Sequence, residues 1–285
     1  MLKRAPFVRE LVVSNVEHLR AAPLSVLRSL KNVENLTLSC ELFERNEEFD
    51  SEIMAIFSNE KLTTVKILQR YNKGCNAYNV FDTRHVSYLK SPSIETIKFQ
   101  GVSVTPNALR ELANKYSKSL KELDLIGCLV HSPDAISYLE SLSRKMESLI
   151  KLSLPPSLFA LSAWPTSGKL RIISEFNIKY LSLYVFEFEA VEFRYFMREI
   201  LPKTLKELHF HDDTRRIARE LKNAAYEQIH FKIVFCTLDN VLIDENWMHG
   251  RSELLFHMVW SPPYKHCRTE FPTAVSYLLE CSNEN

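Results

Sequence analysis

Glycine is scarce in this chain: its 285 residues hold only five, Gly74, Gly101, Gly127, Gly168 and Gly250, where average usage near 7% would supply about 20. No two lie close enough together to cradle a phosphate. The Walker loop and the dinucleotide fingerprint, which need several neighbouring glycines, are thereby excluded. Charge of one sign is lacking too. With 36 Lys and Arg against 35 Asp and Glu, the net charge is +1, which leaves no electrostatic footprint for DNA or an anionic membrane. Long hydrophobic runs are missing: nothing approaches the roughly 18 apolar residues of a membrane span. Lys3, Arg4, Arg9 and Glu10 also interrupt what would have to be the apolar core of a signal peptide. The six cysteines, Cys40, Cys75, Cys128, Cys236, Cys267 and Cys281, form no CxxC pair. That excludes the common zinc and redox signatures and fits a reducing compartment, so a cytoplasmic or nuclear location is expected. Asn35-Leu36-Thr37 spells a glycosylation sequon, which is read as fortuitous in such a compartment.

What is present is a recurring phrase, apolar-x-x-apolar-x-apolar. It reads VRELVV at 8–13, VENLTL at 33–38, LTTVKI at 62–67, IETIKF at 94–99 and LKELDL at 120–125. LIKLSL at 149–154, IKYLSL at 178–183, LKELHF at 205–210 and a weaker YEQIHF at 226–231 follow. Anchored on the central apolar residue, the copies fall at 11, 36, 65, 97, 123, 152, 181, 208 and 229, in steps of 25, 29, 32, 26, 29, 29, 27 and 21. In a chain that is 46% hydrophobic the phrase alone is common, and the regular spacing carries the inference.

Most copies are followed by a polar break and a helical pattern. After the fourth, Thr105 caps, Pro106 suits the first helical position, and Leu109, Leu112, Ala113 and Tyr116 form one apolar stripe. After the fifth, Ser132 caps, Pro133 and Asp134 open the helix, and Ile136, Leu139, Leu142 and Met146 make the stripe. Weaker copies of the pattern lie near Leu27, Phe196 and Leu221. One strand and one helix at a mean period near 27 residues is the grammar of a leucine-rich repeat.

On these residues the chain resembles the leucine-rich-repeat superfamily, and within it the ribonuclease-inhibitor-like and F-box-type repeats. LKELDLIGC, ending at Cys128, is the most similar unit, and Cys40 lies one position off the same place. The other units depart there, with Val102, Phe186 and Asp213. The resemblance covers about residues 7–235. It implies an α/β fold, a leucine-rich-repeat solenoid with a curved parallel β-sheet on the concave side and helices on the convex side. It also implies a place among ubiquitin-ligase substrate adapters, although the seven residues ahead of the first phrase hold no recognisable F-box. The expected organisation is a solenoid of about nine units over 1–237 and a helical cap of the same domain over 238–285. That cap holds Trp247, the apolar run LLFHMVW, Pro262-Pro263 and a final amphipathic AVSYLLE. A docking helix for another protein is the alternative.

Alternate strand residues face opposite ways, so the positions between anchors are expected to line the concave face. In the first units these are mostly small polar groups with Lys66 and Lys98, then Glu122, Asp124 and Lys151. The last three units gather Tyr180, Tyr184, Glu207, His209, His211 and His230, with Lys232. Tyrosine buries area at low entropic cost and is enriched at interface hot spots, so this patch is the candidate partner-binding surface. Three imidazoles on two neighbouring strands raise a metal question, but neither a metal nor any other cofactor is expected. With no GxSxG elbow and no HExxH in the chain, an enzyme is not expected either. The expected function is a non-enzymatic protein–protein interaction scaffold, with ubiquitin-ligase components among its partners through the resemblance. The alternative is RNA binding through the concave tyrosines and lysines.

Overall fold

A computed structural model describes residues 7–14, 16–20, 22, 24–44, 48–68, 79–129, 135–155, 169–184, 195–211, 231–237, 256–260 and 275–278. The chain divides into two units, Met1–Leu161 and Ser162–Asn285.

The first unit carries strands β1 (Glu10–Val13), β2 (Asn35–Ser39), β3 (Thr64–Leu68), β4 (Val80–Phe81), β5 (Thr96–Val104), β6 (Glu122–Leu129) and β7 (Lys151–Leu154). Between them lie helices α1 (Val16–Arg20), α2 (Leu24–Ser29), α3 (Asp50–Phe57), α4 (Thr83–Tyr88), α5 (Pro106–Lys115) and α6 (Ala135–Lys145). The strands pair in the order β1-β2-β3-β5-β6-β7, parallel throughout, with β4 on the far end of β5. Antiparallel neighbours need only a tight turn, whereas parallel ones need a crossover. Helices occupy those crossovers, so the fold is α/β with a parallel sheet flanked by helices.

The anchors set the register. Leu11, Leu36, Val65, Ile97, Leu123 and Leu152 are level with one another from strand to strand. Each strand is entered in the same way: the carbonyl just ahead of one strand accepts two successive N–H groups ahead of the next. Arg9 O takes Glu34 and Asn35, Glu34 O takes Thr63 and Thr64, and Thr63 O takes Glu95 and Thr96. Glu95 O then takes Lys121 and Glu122, and Lys121 O takes Ile150 and Lys151. These bonds hold the strand starts level even though the connections differ in length.

The helices follow their caps. Thr105 Oγ1 accepts the Ala108 N–H at 3.3 Å with Pro106 in the first turn, and Leu109, Leu112, Ala113 and Tyr116 are all buried. In α6, Leu139 and Leu142 are buried, as is Met146 just beyond it, while Ser132, Pro133 and Asp134 lie outside the described residues. Lys115 ties α5 to the preceding helix, donating from Nζ to Val86 O at 3.1 Å and to Leu89 O at the C-terminal end of α4.

The second unit holds β8 (Tyr180–Tyr184), β9 (Glu207–His211), β10 (Lys232–Thr237), β11 (Phe256–Trp260) and β12 (Val275–Leu278). A 3-10 segment over Lys169–Glu175 and a π-helical turn over Phe196–Ile200 lie in the same unit. β8 to β11 are parallel, and β12 runs antiparallel on β11. Two expectations need correction. Leu208 is level with Ile233, so the ninth anchor is 233 and not 229, and the irregular step of 21 becomes 25. In the segment expected to be a helical cap, 256–260 and 275–278 are strands.

A candidate protein-binding face on the parallel strands

Burial separates the two faces residue by residue. Leu36, Leu38, Val65, Ile67, Ile97, Leu123, Leu125, Leu152 and Leu154 are buried, while Thr37, Thr64, Lys66, Thr96, Lys98, Glu122, Asp124 and Lys151 between them remain partly exposed. The second unit repeats this: Leu181, Leu183, Leu208, Phe210 and Ile233 are buried, while Tyr180, Glu207, His209 and Lys232 are partly exposed. Ser39, Ser153 and Ser182 sit on the outer rows yet are buried, so the open face is not uniformly accessible.

Charges on this face are organised by glutamates. In the first unit Glu122 Oε1 lies 2.9 Å from Lys98 Nζ and 3.0 Å from Lys151 Nζ. Burial pushes the Glu122 carboxyl up, but the two lysines together outweigh it and hold it below its ordinary value. Asp124, 4.0 Å from Lys98 Nζ, goes the other way. Burial raises it, opposed by the Ile126 N–H donating to its Oδ1 at 3.1 Å.

In the second unit Tyr180, Glu207 and Lys232 stand in one row, Ser182, His209 and Val234 in the next, and Tyr184, His211 and Cys236 in a third. Glu207 Oε2 is 3.0 Å from His209 Nε2, and its Oε1 is 3.6 Å from Lys232 Nζ. Burial raises this carboxyl, while the His209 hydrogen bond and Lys232 more than offset the rise and hold it below its ordinary value. The backbone thus brings together Tyr180, Tyr184, Glu207, His209 and His211 from the predicted patch. His230 lies outside the described residues, and the residue level with His209 on β10 is Val234 rather than an imidazole.

A second polar cluster, on the buried side of the first unit, went unread in the sequence. His85 is buried against Phe43, Phe81 and Tyr88. Its Nδ1 accepts the Asp82 N–H at 3.1 Å, closing a capping box on α4. Asp50 receives Arg84 at 3.1 Å and the Tyr88 hydroxyl at 3.2 Å. The available signal is Asp82 followed three residues later by His85, a box normally closed by Glu or Gln. No family model and no curated protein matches this chain.

Proposed function

We propose that this protein is a non-enzymatic scaffold that binds other proteins through the open face of its parallel strands, and that its strand-and-helix units are leucine-rich repeats. The carrying observation is that open face. Parallel sheets almost always have both faces covered and read as continuous apolar runs. Here β2, β3, β6, β9 and the first half of β5 alternate buried anchors with partly exposed polar groups such as Thr64, Lys66, Thr96, Lys98, Glu207 and His209. Strand-to-strand steps of 25 to 32 residues in the first unit suit the repeat reading, as does the helix in each crossover.

RNA binding through the same face is the weaker reading, because Lys98, Lys151 and Lys232 each lie within 4 Å of a carboxylate. A narrower form of the scaffold proposal, substrate recognition in a ubiquitin ligase, draws its support from the sequence resemblance.

Affinity purification from cells tests both levels. Thr96→Arg and Tyr180→Ala alter the open face in the two units, and Glu111→Lys alters the exposed side of α5. The scaffold reading expects specific protein partners that are lost with the face variants and kept with Glu111→Lys. Partners that survive all face variants would sink it, and a partner set without ligase components would remove the adapter role alone.

A further inference from the structure

β1 pairs with β2 on one side and with no strand on the other among the described residues. Its pairing decides which backbone groups are left over. Arg9 O accepts the Asn35 N–H at 3.0 Å, and peptide groups point alternately to the two edges of a strand, so Leu11 and Val13 turn their N–H and C=O groups to β2. Glu10 and Val12 turn theirs outward. Such a row is a template for another strand.

The side chains point the same way. Leu36, Val65, Ile97, Leu123 and Leu152 are buried at the anchor position, yet Leu11 at that position remains partly exposed. Close by, Phe7 is 84% and Val12 48% exposed, two of the five large apolar side chains that stand exposed among the described residues. Edges are commonly blunted by lysine, proline or a bulge. β1 reads ELVV and keeps unbroken register with β2, so Glu10 is its single charged residue.

We propose that β1 pairs antiparallel with β1 of a second copy of this chain, about a two-fold axis through Leu11. Three registers keep the inward side chains of both copies on one side of the sheet, with the axis at Glu10, Leu11 or Val12. The first sets Glu10 against Glu10, a destabilising like-charge pair. The third sets Glu10 against Ser14, which lies beyond the end of β1. With the axis at Leu11, Glu10 of each copy stands opposite Val12 of the other and exchanges both backbone bonds with it, four in all. Every outward group of β1 is then satisfied. Leu11 meets its own copy at the narrow pair, where Cα atoms approach to about 4.5 Å, and its exposed flank is covered. A second copy fits better than a foreign strand because one register meets all these demands with no like charges opposed, the self-complementarity that a two-fold interface requires. This inference goes beyond the scaffold reading and does not depend on it.

Sedimentation equilibrium of the full chain tests it, and a monomer–dimer equilibrium is expected. Val12→Glu sets two like-charge pairs against Glu10 and is expected to weaken the dimer about tenfold relative to Val12→Lys, which sets two opposite-charge pairs there. Glu10→Lys combined with Val12→Glu restores opposite charges and should recover the dimer. Val12→Pro removes an N–H that faces away from β2, so the strand's own ladder keeps its bonds, and is expected to abolish dimerisation. Val12 lies on the exposed side of an edge strand, and matching thermal melts confirm that the variants fold. A chain that stays monomeric at all concentrations would overturn the proposal. So would a dimer indifferent to Val12→Pro, or one that Val12→Glu and Val12→Lys weaken equally, since the charge of residue 12 matters only if it faces Glu10. Loss of protein partners in Thr96→Arg or Tyr180→Ala bears on the scaffold reading alone, because neither residue lies on β1.

Discussion

At the scale of single residues, two buried polar groups make opposite demands. His85 closes its capping box with an unprotonated Nδ1, because only a lone pair can accept the Asp82 N–H. Burial lowers its pKa from the ordinary 6.5, opposed by Asp82 and helped by Arg84. The unfolded chain therefore binds the proton more readily than the folded one. The contribution of His85 is complete above pH 6.5 and is lost as pH falls below that value toward the lowered folded-state pKa. His85→Gln keeps an acceptor at the same place and cannot titrate. Urea melts between pH 7 and 5 are expected to show a smaller loss of stability in the variant than in the parent. Equal slopes would contradict this. Tyr116 is the other case: its ring is buried, and its hydroxyl has no hydrogen-bond partner among the described residues. Removing such an orphan recovers its desolvation cost. Tyr116→Phe is expected to raise stability by about 1 kcal/mol in denaturant melts, and a loss of that size would show that the hydroxyl is satisfied.

At the scale of elements, the scarcity of glycine acquires a local meaning. β5 and β6 keep register from Thr96 to Lys98 and then shift twice, between Lys98 and Gln100 and between Gln100 and Ser103. Gly101 within that shift has φ of 75°, the left-handed region where a side chain is strained. Across the bulge Gly127 lies so close that an added Cβ would stand 2.8 Å from Gln100 Cγ and 3.3 Å from its Cα. Two of the five glycines thus serve a single irregularity, one for its backbone angle and one for its closeness. Gly101→Ala is expected to cost about 1–2 kcal/mol in thermal or urea unfolding. A neutral result would mean that the bulge relaxes. The same element pair shows how far helix chemistry could be read in advance: Thr105, Pro106 and the stripe from Leu109 to Tyr116 behave as their spacing predicts, because capping and amphipathic burial are local properties. The bulge was not readable, since nothing in IETIKFQGVSV states where a partner strand will stop matching it.

At the scale of the whole molecule, each strand of the first unit bonds only to its lateral neighbours, so disturbance should decay along the sheet. Leu123 on β6 is fully buried, and Leu123→Ala is expected to cost about 2–5 kcal/mol. Hydrogen exchange should rise most in β5, β6 and β7 and least in β1 and β2. A uniform rise across all strands would point instead to a single cooperative block. The candidate face was mostly legible at this scale because eight of the nine expected anchors sit at the level positions of their strands. The ninth failed for a specific reason. Ile229, Phe231, Ile233 and Phe235 alternate with other residues, so a slide by an even number of residues leaves the same side chains facing inward. The pattern therefore could not tell 229 from 233, and the place beside His209 went to Val234 instead of His230.

The sequence by itself determined which residues point inward, where the strands of the first unit recur and how the helices begin, because alternation, spacing and caps act over a few residues. Only the tertiary structure decided the double shift between β5 and β6, the start of β10, the strands in the C-terminal segment and the enclosure of His85 between α3, α4 and β4. Those features depend on contacts between residues far apart in the chain, where connection length and side-chain closeness, not local pattern, set the register.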